Sequence, residues 1–160
     1  MMSEKPNESF VRELDLSPGT MDVENWTVEM SLGTGVAVGR TAKNGAEYLE
    51  ILSMEPEAIR TERLDRTGLL LTDHSWSVRD AIGRVVPGSV RVKNGQLLAK
   101  VKLFEQNKIA QGVARGDYPG VSMGYFVYDY ESSLDENGQE IRTVTDWEPF
   151  EVSVVYAPAD

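Results

Sequence analysis

Apolar and polar residues alternate from Trp26 onward, in short runs broken by glycine, proline and asparagine. Residues 26–32 read as a strand; Gly33 and Gly35 interrupt it, and 36–38 resumes it. Asn44-Gly45 tolerates positive φ and predicts a hairpin turn, with 48–54 as the returning strand. The period then changes. Over 53–66, a Ser53 cap, Pro56 near the start and apolar anchors at Ile59 and Leu64 predict an exposed helix that Gly68 ends, with Glu62 and Arg66 one turn apart. Leu69, Leu70 and Leu71 make a short buried strand that runs into Thr72, Asp73 and His74. Further strands are expected over 82–86 and 89–93. Asn94-Gly95 then turns the chain into 96–104, where Leu97, Ala99, Val101 and Leu103 share the core face. A short helix is expected over 105–115, weakened by Gly112. A long strand follows over 121–130, and the DENG turn at 135–138 leads to strands over 141–147 and 150–156. Residues 1–25, polar and broken by Pro6, Pro18 and Gly19, read as a flexible or extended N-terminal segment, and 26–160 as one domain. Many strands with two helical intervals predict a mainly β chain with flanking helices, its antiparallel sheet closed or partly closed into a barrel.

Composition narrows the chemistry. The chain has 160 residues, of which 41% are apolar, enough for a core. Without cysteine there is no disulfide, thiolate nucleophile or zinc–thiolate site within one chain, and a single histidine excludes a multi-histidine metal cluster in one subunit. No cofactor or metal is expected. The net charge of −10 argues against a general nucleic-acid surface. No apolar stretch is long enough to span a bilayer, and the N-terminus lacks an apolar signal core, so a soluble intracellular protein is expected.

The single histidine, His74, sits where a buried strand meets a Ser75/Ser77 segment that reads as flexible. It can be a structural residue or a group that takes up and returns a proton. Asp73 is a poor orienting partner, because adjacent strand side chains point apart. Among 12 serines, Ser122 stands out in GDYPGVSMGYF (116–126). On a strand, Val121, Met123 and Tyr125 would face the core. Ser122, Gly124 and Phe126 would face away, with Gly124 clearing space beside the hydroxyl. The bare Gly-x-Ser-x-Gly match lacks the strand-to-helix context of a nucleophile elbow. Glu151, in WEPFEVSVVYAPAD (147–160), alternates with Ser153 on one face and could orient an imidazole or be a solvated strand residue. Ser153 is a competing nucleophile, ranked below Ser122 because its valine neighbours suggest core packing.

The strings LLLTDHSWSVRDAIGRV (69–85), GVSMGYFV (120–127) and WEPFEVSVVYAPAD, with YLEILSMEPEAIRTERLDRTG (48–68) upstream, resemble the HK97-type tailed-phage prohead protease family over roughly residues 34–160. The family is related to the herpesvirus assembly proteases. The resemblance implies a mainly antiparallel β-barrel with surrounding helices. It implies a serine endopeptidase that cleaves phage scaffold or the scaffold region of the capsid protein, and often itself, inside the assembling prohead in the host cytoplasm. His74 and Ser122 match the family's histidine and nucleophile, and Glu151 its acidic member. Phage capsid protein and scaffold are the implied partners, with a homodimer or higher self-association as a further expectation. The rival readings are a catalytically inactive capsid-assembly or scaffold-interaction protein and a serine esterase. Backbone amides around Gly83 to Val85 are the first guess for an oxyanion site.

Overall fold

The computed structural model describes residues 8–15, 21–118 and 120–156. Among these, ten strands form one sheet flanked by two short helices: β1 (Glu8–Asp15), β2 (Thr27–Thr34), β3 (Val38–Thr41), β4 (Glu47–Leu52), α1 (Glu62–Thr67), β5 (Leu69–Thr72), β6 (Gly83–Val85), β7 (Arg91–Lys93), β8 (Gln96–Leu103), α2 (Lys108–Arg115), β9 (Gly120–Leu134) and β10 (Glu140–Val155). The main path runs β1-β9-β10-β5-β6-β8-β2, with β4 beside the first half of β10, β3 on β4 and β7 on β8. The end strands β1 and β2 approach one another but share no ladder. The sheet is therefore an open half-barrel rather than a closed one. It is also not purely antiparallel, because β10 runs parallel to both β4 and β5. Among the described residues, no helix is long and apolar enough to cross a membrane.

Alternation positions the core. Leu97, Ala99, Val101 and Leu103 of β8 are all buried, as are Val121, Met123, Tyr125 and Val127 of β9. Each larger aliphatic side chain contributes about 2 kcal/mol of transfer free energy. Asn94 (φ 52) and Gly95 (φ 73) make the β7–β8 turn in the left-handed region expected of a two-residue hairpin. The Asn44-Gly45 hairpin is wider, closing from Ala42 to Ala46, and of this pair only Gly45 has positive φ. Asn107 caps α2 by accepting from the Ile109 and Ala110 amides, and Gly116 ends it with φ 83.

Other sequence expectations change as well. The helix predicted over 53–66 is a single 3₁₀ turn at Pro56–Ala58 followed by α1, because Ile59 is drawn into a bridge with Trp147 that interrupts the helix. The strands predicted over 141–147 and 150–156 are one bulged strand, β10. Within the expected lead-in over 1–25, Glu8–Asp15 is a strand of the sheet, antiparallel to β9. Its Arg12 is buried and bonds the Glu50 carboxylate at 3.1 Å, the Glu50 carbonyl at 2.7 Å and the Val36 carbonyl at 2.7 Å. The Tyr125 hydroxyl also donates to Glu50 and accepts from Arg40 at 2.8 Å. A buried carboxylate needs such partners, so the N-terminal strand supplies a cation that the core requires.

Candidate active site

The site lies on the sheet face turned away from the core, where β9, β10 and the end of β5 meet. Antiparallel pairing sets Ser122 directly opposite Ser153 and Gly124 opposite Glu151. Opposed residues share a face with Cβ atoms about 5 Å apart. The phase of β10 is decided by a bulge. Pro149 pairs with Tyr125 on the core side, yet Glu151 pairs with Gly124, so Phe150 is an extra residue. Unbroken alternation from the buried Trp147 would carry Glu151 into the core. The inserted residue turns it outward beside Ser153, the kind of re-aiming for which bulges are used. Pro149, which cannot donate to the ladder, is the sequence signal of this break.

His74 reaches the same spot through a turn. Strand β5 pairs Ser153 with Leu71 and Val154 with Thr72. Asp73 (φ 50) and His74 (φ 56) then both enter the left-handed region, and the Ser75 amide closes the turn onto the Thr72 carbonyl at 2.9 Å. This is a type I′ geometry formed without glycine, strained by about 1–2 kcal/mol per residue. It is held by the Asp73 amide on the Val154 carbonyl at 3.0 Å and by the His74 amide on the Ser153 hydroxyl at 2.9 Å. The turn folds the imidazole back over β10.

His74 Nδ1 lies 2.5 Å from Glu151 Oε1. A carboxylate only accepts, so a proton resides on Nδ1, and in the neutral ring Nε2 carries the lone pair. The Ser153 hydroxyl donates to the other oxygen, Oε2, at 2.5 Å. Asp73 contributes no hydrogen bond to the ring. Among the described residues, four buried side-chain polar atoms lack a hydrogen-bond partner, and two of them are His74 Nε2 and Ser122 Oγ. Ser122 is fully buried.

Gly124 has a different use from the one expected. A Cβ there would lie 3.0 Å from Glu151 Oε1 and 3.0 Å from Phe150 Cζ, so the space it clears is filled by the carboxylate and a ring. Phe150 stacks on Phe126 with centroids 4.2 Å apart, and the exposed Trp76 packs over Phe150 at 5.3 Å. Met123 and Tyr125 are core residues. The Ser75–Ser77 stretch is tied down: Ser75 donates to Asp80 at 2.5 Å, and Ser77 caps the 3₁₀ turn Val78–Asp80. A cleft of about 410 Å³ opens beside His74 and Glu151, between Phe10 and Val11 of β1 and the Trp76 and Phe150 rings. The guessed oxyanion amides are not at this spot. Gly83–Val85 is β6, on the far side of β5 from β10, and the Val85 amide donates to the Gly68 carbonyl at 2.9 Å.

An imidazole held by a carboxylate, with a free ring nitrogen and a serine on the same face, is the set of groups that acyl transfer by a serine hydrolase uses. The chain belongs to the caudovirus prohead serine protease family, whose model matches residues 52–160. Among solved structures, the chain is similar to the bacteriophage T4 capsid assembly protease gp21, with a TM-score of 0.49 and 11% identity over 94% of this chain and 98% of that one. No curated protein matches the chain.

Proposed function

We propose that the chain is the serine endopeptidase of a tailed-phage prohead, with Ser122 as nucleophile, His74 as general base and Glu151 as the carboxylate that orients the imidazole. The observation that carries this reading is the 2.5 Å contact of the single imidazole with Glu151, which leaves Nε2 without a partner on the face that bears Ser122. In acylation, Nε2 takes the hydroxyl proton as Ser122 Oγ attacks the scissile carbonyl. Glu151 compensates the imidazolium, and the proton passes to the leaving amine as the tetrahedral intermediate collapses. Water then enters, gives its proton to Nε2 and releases the acyl group, which restores the hydroxyl.

Membership of the prohead protease family supports phage scaffold, the scaffold region of the capsid protein and the chain itself as the substrates of this reading, cleaved inside the assembling prohead in the host cytoplasm. Self-association there, as a homodimer or a larger assembly, is part of the same reading. The test is co-expression with the cognate capsid and scaffold proteins. Processing is expected from the parent and from Ser153→Ala at a reduced rate, and none from Ser122→Ala. Full processing by Ser122→Ala removes the nucleophile assignment.

One observation favours a second reading, a non-catalytic assembly protein: Ser122 has no exposed surface. A fluorophosphonate probe separates the two. Covalent labelling of Ser122 supports the peptidase. A protein that incorporates into proheads, is never labelled and leaves its partners uncleaved supports the assembly role. Turnover of small esters with scaffold left intact would indicate an esterase.

A further inference from the structure

We infer that Ser153 is a positioning residue that sets both partners of the imidazole–carboxylate pair; this inference rests on the assignment of Ser122, His74 and Glu151 given above. Ser153 is fully buried, and its one hydroxyl is used twice. As donor it holds Glu151 Oε2 at 2.5 Å, and as acceptor it takes the His74 amide at 2.9 Å. The two bonds act on different degrees of freedom. The first fixes the rotation of the carboxylate about its last torsion, so that Oε1 faces Nδ1. The second fixes the backbone of the left-handed turn, and with it the height of the ring above the sheet.

A carboxylate on a long side chain has a broad terminal torsion, and a turn with two non-glycine residues at φ 50 and φ 56 relaxes unless it is held. Ser153 constrains both through one atom. Its own position is set by the ladder, opposite Ser122 and beside Leu71. The nucleophile's neighbour in the sheet therefore also anchors the base and its orienting acid. Because its hydroxyl proton is committed to Glu151, Ser153 is not poised for activation by the imidazole. That gives a chemical reason for ranking it below Ser122 as nucleophile.

The experiment compares Ser153→Ala and Ser153→Thr with the parent and with Glu151→Gln, using purified full-length chain, a scaffold-derived peptide and a fluorophosphonate probe. Ser153→Ala is expected to lower kcat about 10- to 100-fold with KM nearly unchanged, the scale of a misplacement near 1 Å in a catalytic group. Its loss should fail to multiply with that of Glu151→Gln, since the two act through one contact. Ser153→Thr, which keeps the hydroxyl, should recover most of the rate. The label should stay on Ser122 throughout. With only one histidine, the Nδ1 proton resonance is unambiguous, and it is expected to broaden in Ser153→Ala and to return in Ser153→Thr.

An unchanged kcat and unchanged imidazole signal in a folded Ser153→Ala overturn the inference, as does multiplicative loss or labelling of Ser153. If neither variant folds, the parent decides: a His74 amide that exchanges like an open loop amide overturns the inference, and a strongly protected one supports it. Retained processing by Ser122→Ala instead overturns the underlying assignment, so the two failures are distinguishable.

Discussion

Gly124→Ala tests how tightly the carboxylate is seated. The added Cβ meets Glu151 Oε1 and Phe150 Cζ, each at 3.0 Å, so both neighbours must give by a few tenths of an ångström. Neither is free to do so. Glu151 is held at 2.5 Å from both His74 and Ser153, and Phe150 is stacked on Phe126 and tilted against Trp76. Overpacking of this size costs about 1–3 kcal/mol of stability. For a chain of this length that lowers the melting temperature by roughly 3 to 9 °C. The catalytic loss is expected to be moderate. A shift of a few tenths of an ångström stretches the Nδ1 contact from 2.5 Å but leaves it within hydrogen-bond range. We expect about a tenfold fall in kcat/KM, or about 1.4 kcal/mol. Glu151→Gln sets the outer bound, because an amide supports the wrong tautomer. In a serine triad that change costs about 10⁴-fold.

The assay is initial-rate cleavage of a scaffold-derived peptide beside a thermal melt, for Gly124→Ala, Glu151→Gln and the double variant Gly124→Ala/Phe150→Leu. Shortening the ring relieves one of the two close contacts, so the double variant should regain stability but little activity. A Gly124→Ala protein with parental melting temperature and parental kcat/KM would refute the claim that this glycine exists to seat the carboxylate. A loss as large as that of Glu151→Gln would refute the estimate that the contact survives.

Other expectations concern the frame around the site. Arg12→Ala removes a cation bonded to the buried Glu50, leaving Arg40 Nε at 3.5 Å as the remaining ion-pair partner. Stability is expected to fall by about 3 kcal/mol, read as the urea midpoint, and a loss below about 1 kcal/mol would mean that Arg40 suffices. Burial, and then the charge of Glu50, raise the pKa of the Tyr125 phenol above its ordinary value near 10. Above about pH 10 the unfolded chain therefore sheds a proton that the folded chain keeps, and stability falls as pH rises. Tyr125→Phe should flatten that alkaline decline, leaving the contribution of Tyr128, which is shifted in the same direction; an unchanged slope in urea titrations at pH 9 to 11 would count against it. Asn107→Ala strips the α2 cap of its bonds to Ile109 and Ala110 and should cost about 1 kcal/mol, measured by thermal unfolding, with no effect on probe labelling of Ser122.

What the linear chain determined was local. Alternation in β8 and β9 marked the buried faces and Asn94-Gly95 marked its turn, because each depends on residues within a few positions of one another. The same alternation put Ser122 and Gly124 on the non-core face, His74 stood out as the single histidine, and the motif resemblance chose Glu151 as its acidic partner. Tertiary structure decided everything that needed registration between distant segments. Ile59 left its expected helix because Trp147 offered a bridge, and β1 joined the sheet because β9 had an edge and Glu50 needed a cation. The orientation of Glu151 turned on one inserted residue at Phe150, and the reach of His74 on two left-handed residues held by a strand about 80 positions later. Strand period states which side a residue faces, but a bulge reverses that phase and a cross-strand hydroxyl sets the final angle. Both arise from pairing: Pro149 marks where the ladder breaks, but which way Glu151 then faces depends on the strand opposite.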